Sequence, residues 1–181
     1  MKRTERRHLK DNELANLALQ AREVMDQRKR EVTAVIVAVL VIGAAAIGYF
    51  AWRERVQTRA HALLAEAMVV HDARVGPPPA SGTPSQGLSF LTARERSQAA
   101  LTKFKVAADA YPSTDAGLFA RYREGATFMA LGSPIGAADA YLLVIEQGGD
   151  SIYGQMARLG LSEAQARNGQ YDQAIDTYKE L

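Results

Sequence analysis

Three observations predict an all-α chain with a single transmembrane helix followed by an array of helical hairpins repeating every 37 residues. An uncharged apolar run extends from Val32 to Trp52. Beyond it, alanines and aromatics recur at fixed offsets. No segment carries the two-residue alternation expected of a half-buried strand.

The apolar run holds 21 residues, VTAVIVAVLVIGAAAIGYFAW, with Thr33 its one conventional polar side chain. As a helix it would be ~31 Å long, matching a ~30 Å hydrocarbon core. A core helix of a soluble domain would show a polar face, and this run shows none. Ala44-Ala45-Ala46 resembles a signal-peptide cleavage site, but the apolar run continues past it and 31 residues precede it. The length therefore favours an uncleaved single-pass anchor, with Tyr49 and Trp52 placed as an aromatic belt.

Residues 1–31 carry nine Lys/Arg against six acids, and Arg28-Lys29-Arg30 abuts the span. Residues 53–181 carry 13 basic and 14 acidic side chains. The positive-inside rule then predicts a cytoplasmic N-terminus and an extracytoplasmic C-terminal region, although Arg53, Arg55 and Arg59 reduce the local bias. Within the tail, Leu14, Leu17, Ala18, Ala21, Val24 and Met25 recur at helical spacing after Asp11 or Asn12 as a cap. This amphipathic helix could lie on the anionic leaflet or dock a partner, and alternating Glu and Arg favour the first.

Val56, Ala60, Leu63, Leu64, Ala67 and Val70 extend an apolar stripe outward, predicting a membrane-proximal helix over residues 53–75. Gly76-Pro77-Pro78-Pro79 should stop it. A Pro/Gly/Ser-rich loop is expected over 76–90, with helical hairpins over 91–181. The first helix after the loop should start near Thr92 and end before Pro112.

Ala100, Ala137 and Ala174 are spaced 37 residues apart. Phe104, Tyr141 and Tyr178 follow four residues later, and Ala107, Val144 and Leu181 three after that. Gly132 and Gly169 share the period. A small residue lets two helices approach, and the aromatic fills the space toward the next pair. These nine alanine, aromatic and small apolar positions are the expected repeat-packing residues. Leu181 should fall inside, or at the end of, a second repeat helix whose apolar face is open. A stop there suggests either a truncated chain or a cap supplied by a partner or second copy.

The segment Gly169-Gln-Tyr171-Asp-Gln-Ala174-Ile175-Asp-Thr-Tyr178 resembles a tetratricopeptide repeat. Gly125, Phe128, Gly132, Ala137 and Tyr141 form a second copy. The first copy matches in its second helix only, through Tyr111-Pro112. The period exceeds the family's usual 34, the first-helix tryptophan is missing, and Gln165 stands where Phe128 stands one copy earlier. The order of basic tail, anchor and repeats, with the segment Glu95 to Pro112, is also similar to the ancillary subunits of the bacterial Sec translocon. That resemblance implies an inner-membrane location, periplasmic repeats, and contact with translocon subunits, periplasmic chaperones and emerging polypeptides.

The tetratricopeptide resemblance further implies a protein-binding groove on the first helix of each pair. The corresponding positions are Phe119, Tyr122, Ala126 and Met129, then Met156, Leu159, Glu163 and Ala166. Methionine and aromatics suit varied apolar segments. The Lys/Asn carboxylate clamp of some family members is absent, with Tyr122, Ala126, Leu159 and Glu163 in its places. An alternative is that Val56 to Val70 covers these residues as ordinary core.

No catalytic, metal or phosphate-binding motif is present. His61 and His71 lie ten apart and face different directions on one helix, and His71-Asp72 reads as a solvated helix end. No cofactor is implied. With no cysteine, a disulfide framework and a lipoprotein anchor are excluded. The near-neutral outer region argues against nucleic acid. Ala34/Ala38 and Ala44/Gly48 have the spacing of a homo-oligomeric helix contact. Two functions follow: a membrane-tethered protein-interaction adaptor, or a passive scaffold subunit of a division, secretion or outer-membrane assembly complex.

Overall fold

The computed structural model describes residues 29–76 and 87–181. The amphipathic helix expected over residues 12–25, and most of the loop expected over 76–90, lie outside the described residues. Among the described residues the fold is all-α, with six helices and one two-residue strand pair.

Helix α1 runs without interruption from Lys29 to His71. Two compact units divide at Trp52/Arg53. In the first, the side chains from Thr33 to Trp52 are all exposed. This helix is long and apolar enough to cross a membrane, and its most apolar stretch buries nothing within the protein.

In the second unit, α1 ends at His71, four residues before the expected Val75. Strand β1 (Arg74–Val75) then pairs in parallel with β2 (Ser89–Phe90), so the expectation of no strand is corrected. The reason is local. The chain leaves the helix at Asp72, and buried Ala73 offers its carbonyl to Arg96 Nη1 at 3.3 Å. Gly76 then donates its N–H to the Phe90 carbonyl at 3.0 Å. Together with the Arg96 and Gly76 hydrogen bonds, this two-residue rung ties the helix exit to the segment before α2, and it is too short to leave a periodic signal in the sequence.

Helix α2 (Ala93–Ala110) starts with a capping box. Thr92 Oγ1 accepts from the Glu95 N–H at 3.1 Å, and the Glu95 carboxylate accepts from the Thr92 N–H at 3.3 Å. Helices α3 (Asp115–Ala130) and α5 (Ile152–Arg167) each contain 16 residues and start 37 residues apart. Helices α4 (Pro134–Gly148) and α6 (Tyr171–Lys179) also start 37 apart. Thr114 and Ser151 cap α3 and α5 by accepting from the N–H groups of Gly117 and Gly154. A Cβ at Gly117 would lie 1.8 Å from the Tyr111 carbonyl oxygen, so this turn tolerates only glycine.

Two apolar clusters form the core. In the first, Ala67 and Val70 of α1 meet Ala100, Phe104, Ala107 and Ala108 of α2 and Ala120 of α3. The outer part of α1 therefore partners α2, giving the first hairpin the leading helix that its sequence lacked. In the second cluster, Ala137, Tyr141 and Val144 of α4 meet Ala157, Leu161 and Ala164 of α5. The Tyr141 ring lies so close to Gly125 of α3 and Gly160 of α5 that a Cβ on either would fall 2.7 or 2.5 Å from it. Two bare backbone positions admit one large ring, which is how an alanine-rich array reaches interior packing density.

Candidate functional site

The expected groove residues fall into two sets. On α3, Phe119, Tyr122, Ala126 and Met129 are half-buried. On α5, Met156 and Ala166 are half-buried, while Leu159 and Glu163 are exposed. An aromatic series links α3, α4 and α5. Phe119 stacks beside Tyr122 with ring centroids 6.4 Å apart and meets Tyr153 at 5.9 Å, and Tyr122 meets Tyr141 at 5.7 Å. Tyr153 was absent from the expected set, although its place one helical turn before Ala157 marked it.

None of the eight groove residues belongs to the core that α1 builds. The idea that Val56 to Val70 covers them is therefore corrected. The α1 stripe is spent on α2 and on Ala120, which lies on a different side of α3 from Tyr122 and Met129. Those two pack instead against the second cluster.

Leu159, Glu163 and Ala166 continue into an open cleft of about 610 Å³ between α5 and α6. Its other walls include Ser162, Tyr171, Ile175 and Tyr178. Tyr171, Ile175 and Tyr178 are 67%, 54% and 61% exposed. This bears on the expected repeat-packing set. Ala100, Phe104, Ala107, Ala137, Tyr141, Val144 and Ala174 are buried, but Tyr178 and Leu181 are exposed. Helix α6 ends at Lys179, so Leu181 lies beyond it, and no described helix covers the outer side of α6.

Charge is concentrated away from the aromatic series. Arg121 of α3 bridges Asp109 of α2 and buried Glu124, the latter at 2.6 Å. Burial pushes the Glu124 carboxyl above the usual range, with Arg121 offsetting only part of the effect. Burial alone would lower the Arg121 guanidinium, but Asp109 and Glu124 hold it above its ordinary value. The expectation that His71 is solvated is corrected. Its Nε2 accepts from Arg123 Nη2, and its ring lies 5.8 Å from that of Phe104. Burial, then the Arg123 charge, holds His71 below its usual range. Burial also pushes the Tyr141 phenol up to about 12, helped by Tyr122 and Glu163.

Arg121, Glu124 and Arg123 had no role in the sequence-based expectations. One signal was readable: Glu124 stands 37 residues before buried Leu161. A carboxylate at the register of a core leucine requires a nearby cation.

No family model, curated protein or solved structure matches this chain.

Proposed function

We propose that this chain is a membrane-anchored protein-interaction adaptor of the bacterial inner membrane, with a tetratricopeptide-like helical array on the periplasmic side. Its partners are translocon components, chaperones or emerging polypeptides. The observation that carries this reading is the apolar and aromatic surface of α3 and α5, which remains half-buried or exposed after α1 has been packed elsewhere. Such a surface is adaptable, because Met129 and Met156 reshape easily and the rings of Phe119, Tyr122 and Tyr153 offer area at low entropic cost. The exposed apolar stretch of α1 supplies the tether. The basic residues at 28–30 favour a cytoplasmic N-terminus.

A photoreactive residue in place of Tyr122 tests the partner. Capture of the translocation channel or of many different secreted chains is expected. A single fixed partner, without translocon components, would replace the adaptor with a scaffold subunit. Protease added to the periplasmic side should digest residues beyond Trp52 and spare the tail. Digestion of the tail alone would reverse the orientation.

A further inference from the structure

The last turn of α1 is joined to α3 by a contact that exists only while a histidine is neutral. Arg123 Nη2 donates to His71 Nε2. Both groups lie at the ring of fully buried Phe104, the imidazole at 5.8 Å and the guanidinium carbon at 5.8 Å from its centroid. Among the described residues no carboxylate pairs with Arg123, and its Nε is buried without a hydrogen-bond partner. The imidazole nitrogen is therefore the acceptor that keeps this guanidinium in place. A guanidinium stays charged throughout the range in which histidine titrates, so only His71 can change the contact. Once protonated, His71 has an N–H on both ring nitrogens and no lone pair to offer Arg123. Two cations then share one aromatic face. The remaining charges do not restore the balance: Arg96 of α2 adds repulsion, and Asp72 on α1 supplies the one opposing charge. Arg74 of β1 adds a further positive charge three residues on.

From this geometry we infer that the His71–Arg123 contact is an acid-released latch, which holds the last turn of α1 and strand β1 on the array at neutral pH and frees them when His71 takes up a proton. The release is local. Further back along α1, Ala60 and Ala67 are buried, and Ala67 meets α2 through alanines and Phe104, contacts that contain no titratable group. That part of the helix stays seated at either pH. Beyond His71 the chain is held by little: the Ala73 carbonyl accepting from Arg96 at 3.3 Å, the Gly76 N–H donating to Phe90 at 3.0 Å, and a two-residue strand pair. Loss of the Arg123 contact therefore moves the exit of α1 and leaves the hairpins α3–α4 and α5–α6 as they are. Burial and the Arg123 charge put the release below the ordinary histidine range, in mild acid. The device stands independently of what the surface of α3 and α5 binds.

The chain has no cysteine, so one introduced thiol gives a unique labelling site. The test uses the full chain in detergent micelles with a nitroxide spin label on Val69→Cys, an exposed position in the last turn of α1. Between pH 7.5 and about pH 5 the label should pass reversibly from an ordered to a mobile spectrum. The same label on Leu142→Cys, exposed on α4, should not change. His71→Gln offers Arg123 a neutral acceptor at every pH and should hold the Val69 label ordered throughout. Arg123→Gln removes the opposing cation and should also suppress the mobilisation. Where one of these variants fails to fold, the other decides alone. An unchanged spectrum down to about pH 5 overturns the proposal, and so does a response that persists in either variant. Mobilisation at Val69 and Leu142 together reads as loosening of the whole array and equally overturns it.

Discussion

The hairpins α3–α4 and α5–α6 start their helices at the same 37-residue offset, yet one is sealed and the other open. The α3–α4 pair holds its aromatic between Gly125 and Gly160, under the next helix. The α5–α6 pair presents the matching aromatic to solvent. Register alone therefore does not decide whether a position is core. What decides it is whether another helix, with a small residue at the right place, lies over it. The same side-chain type at the same register is buried in one hairpin and exposed in the next.

The sharpest way to break this contrast is to truncate both rings. Tyr141→Ala should cost about 3–5 kcal/mol, because it empties a closed site between three helices. Tyr178→Ala should change stability by no more than about 0.5 kcal/mol, as expected of an exposed side chain. Urea midpoints of the two variants check this, and equal losses would mean that the two hairpins do not differ as described.

A smaller effect comes from adding atoms. Gly125→Ala forces a methyl to within 2.7 Å of the Tyr141 ring and should cost about 1–3 kcal/mol. Ser162 holds the same register on α5, where its hydroxyl donates to the Leu159 carbonyl at 2.8 Å. Ser162→Ala removes that bond without adding bulk, so its cost should stay near 0.5–1 kcal/mol. Thermal melts of both variants decide the order.

The third comparison is chemical. Glu124 and Leu161 share a register, and each is buried in its own hairpin. Glu124→Leu should cost about 1–2 kcal/mol, since Arg121 keeps Asp109 but loses its buried partner. Arg121→Met combined with Glu124→Leu should recover most of that loss, because a packed apolar pair replaces a desolvated ionic one. A double variant less stable than Glu124→Leu alone would show that the bridge to Asp109 dominates.

Much of this architecture was legible in the chain. The uncharged run at Val32–Trp52 required a helix with no buried face, and the start of α2 was placed near Thr92, which the structure shows as its cap. Gly132 and Gly169 adopt φ of 79° and 80°, the left-handed turn their shared spacing implied. What escaped was decided by contacts distant in sequence. The partner of α2 is the outer part of α1, separated from it by a loop whose composition hides the relation. The β1–β2 rung is too short to have a period. The groove positions followed from a resemblance, but their division into a half-covered set on α3 and an open set on α5 depends on where neighbouring helices lie. The His71–Arg123 contact joins residues 52 apart and has no local signature.

That contact gives the smallest effect and separates the first hairpin from the other two, which have no histidine. In the folded state His71 titrates below its ordinary value of 6.5, chiefly through burial and then through Arg123. Between those two pH values the unfolded chain binds more protons, so stability rises with pH. The contribution is complete above about pH 6.5 and declines as pH falls toward the folded value. Protonation would set an N–H against the Arg123 guanidinium, with Arg96 adding repulsion and Asp72 relieving part of it. Glu124 acts with the opposite sign, since a carboxyl raised by burial loses stability as pH rises from 4.5 toward its folded value. Urea midpoints measured from pH 7.5 down to 5.5 in the wild-type chain and in His71→Asn therefore read the histidine by difference. The wild-type chain should lose stability over that interval, and His71→Asn should flatten the slope without shifting the response to Tyr178→Ala. An unchanged slope in His71→Asn would assign the pH dependence to groups outside the first hairpin.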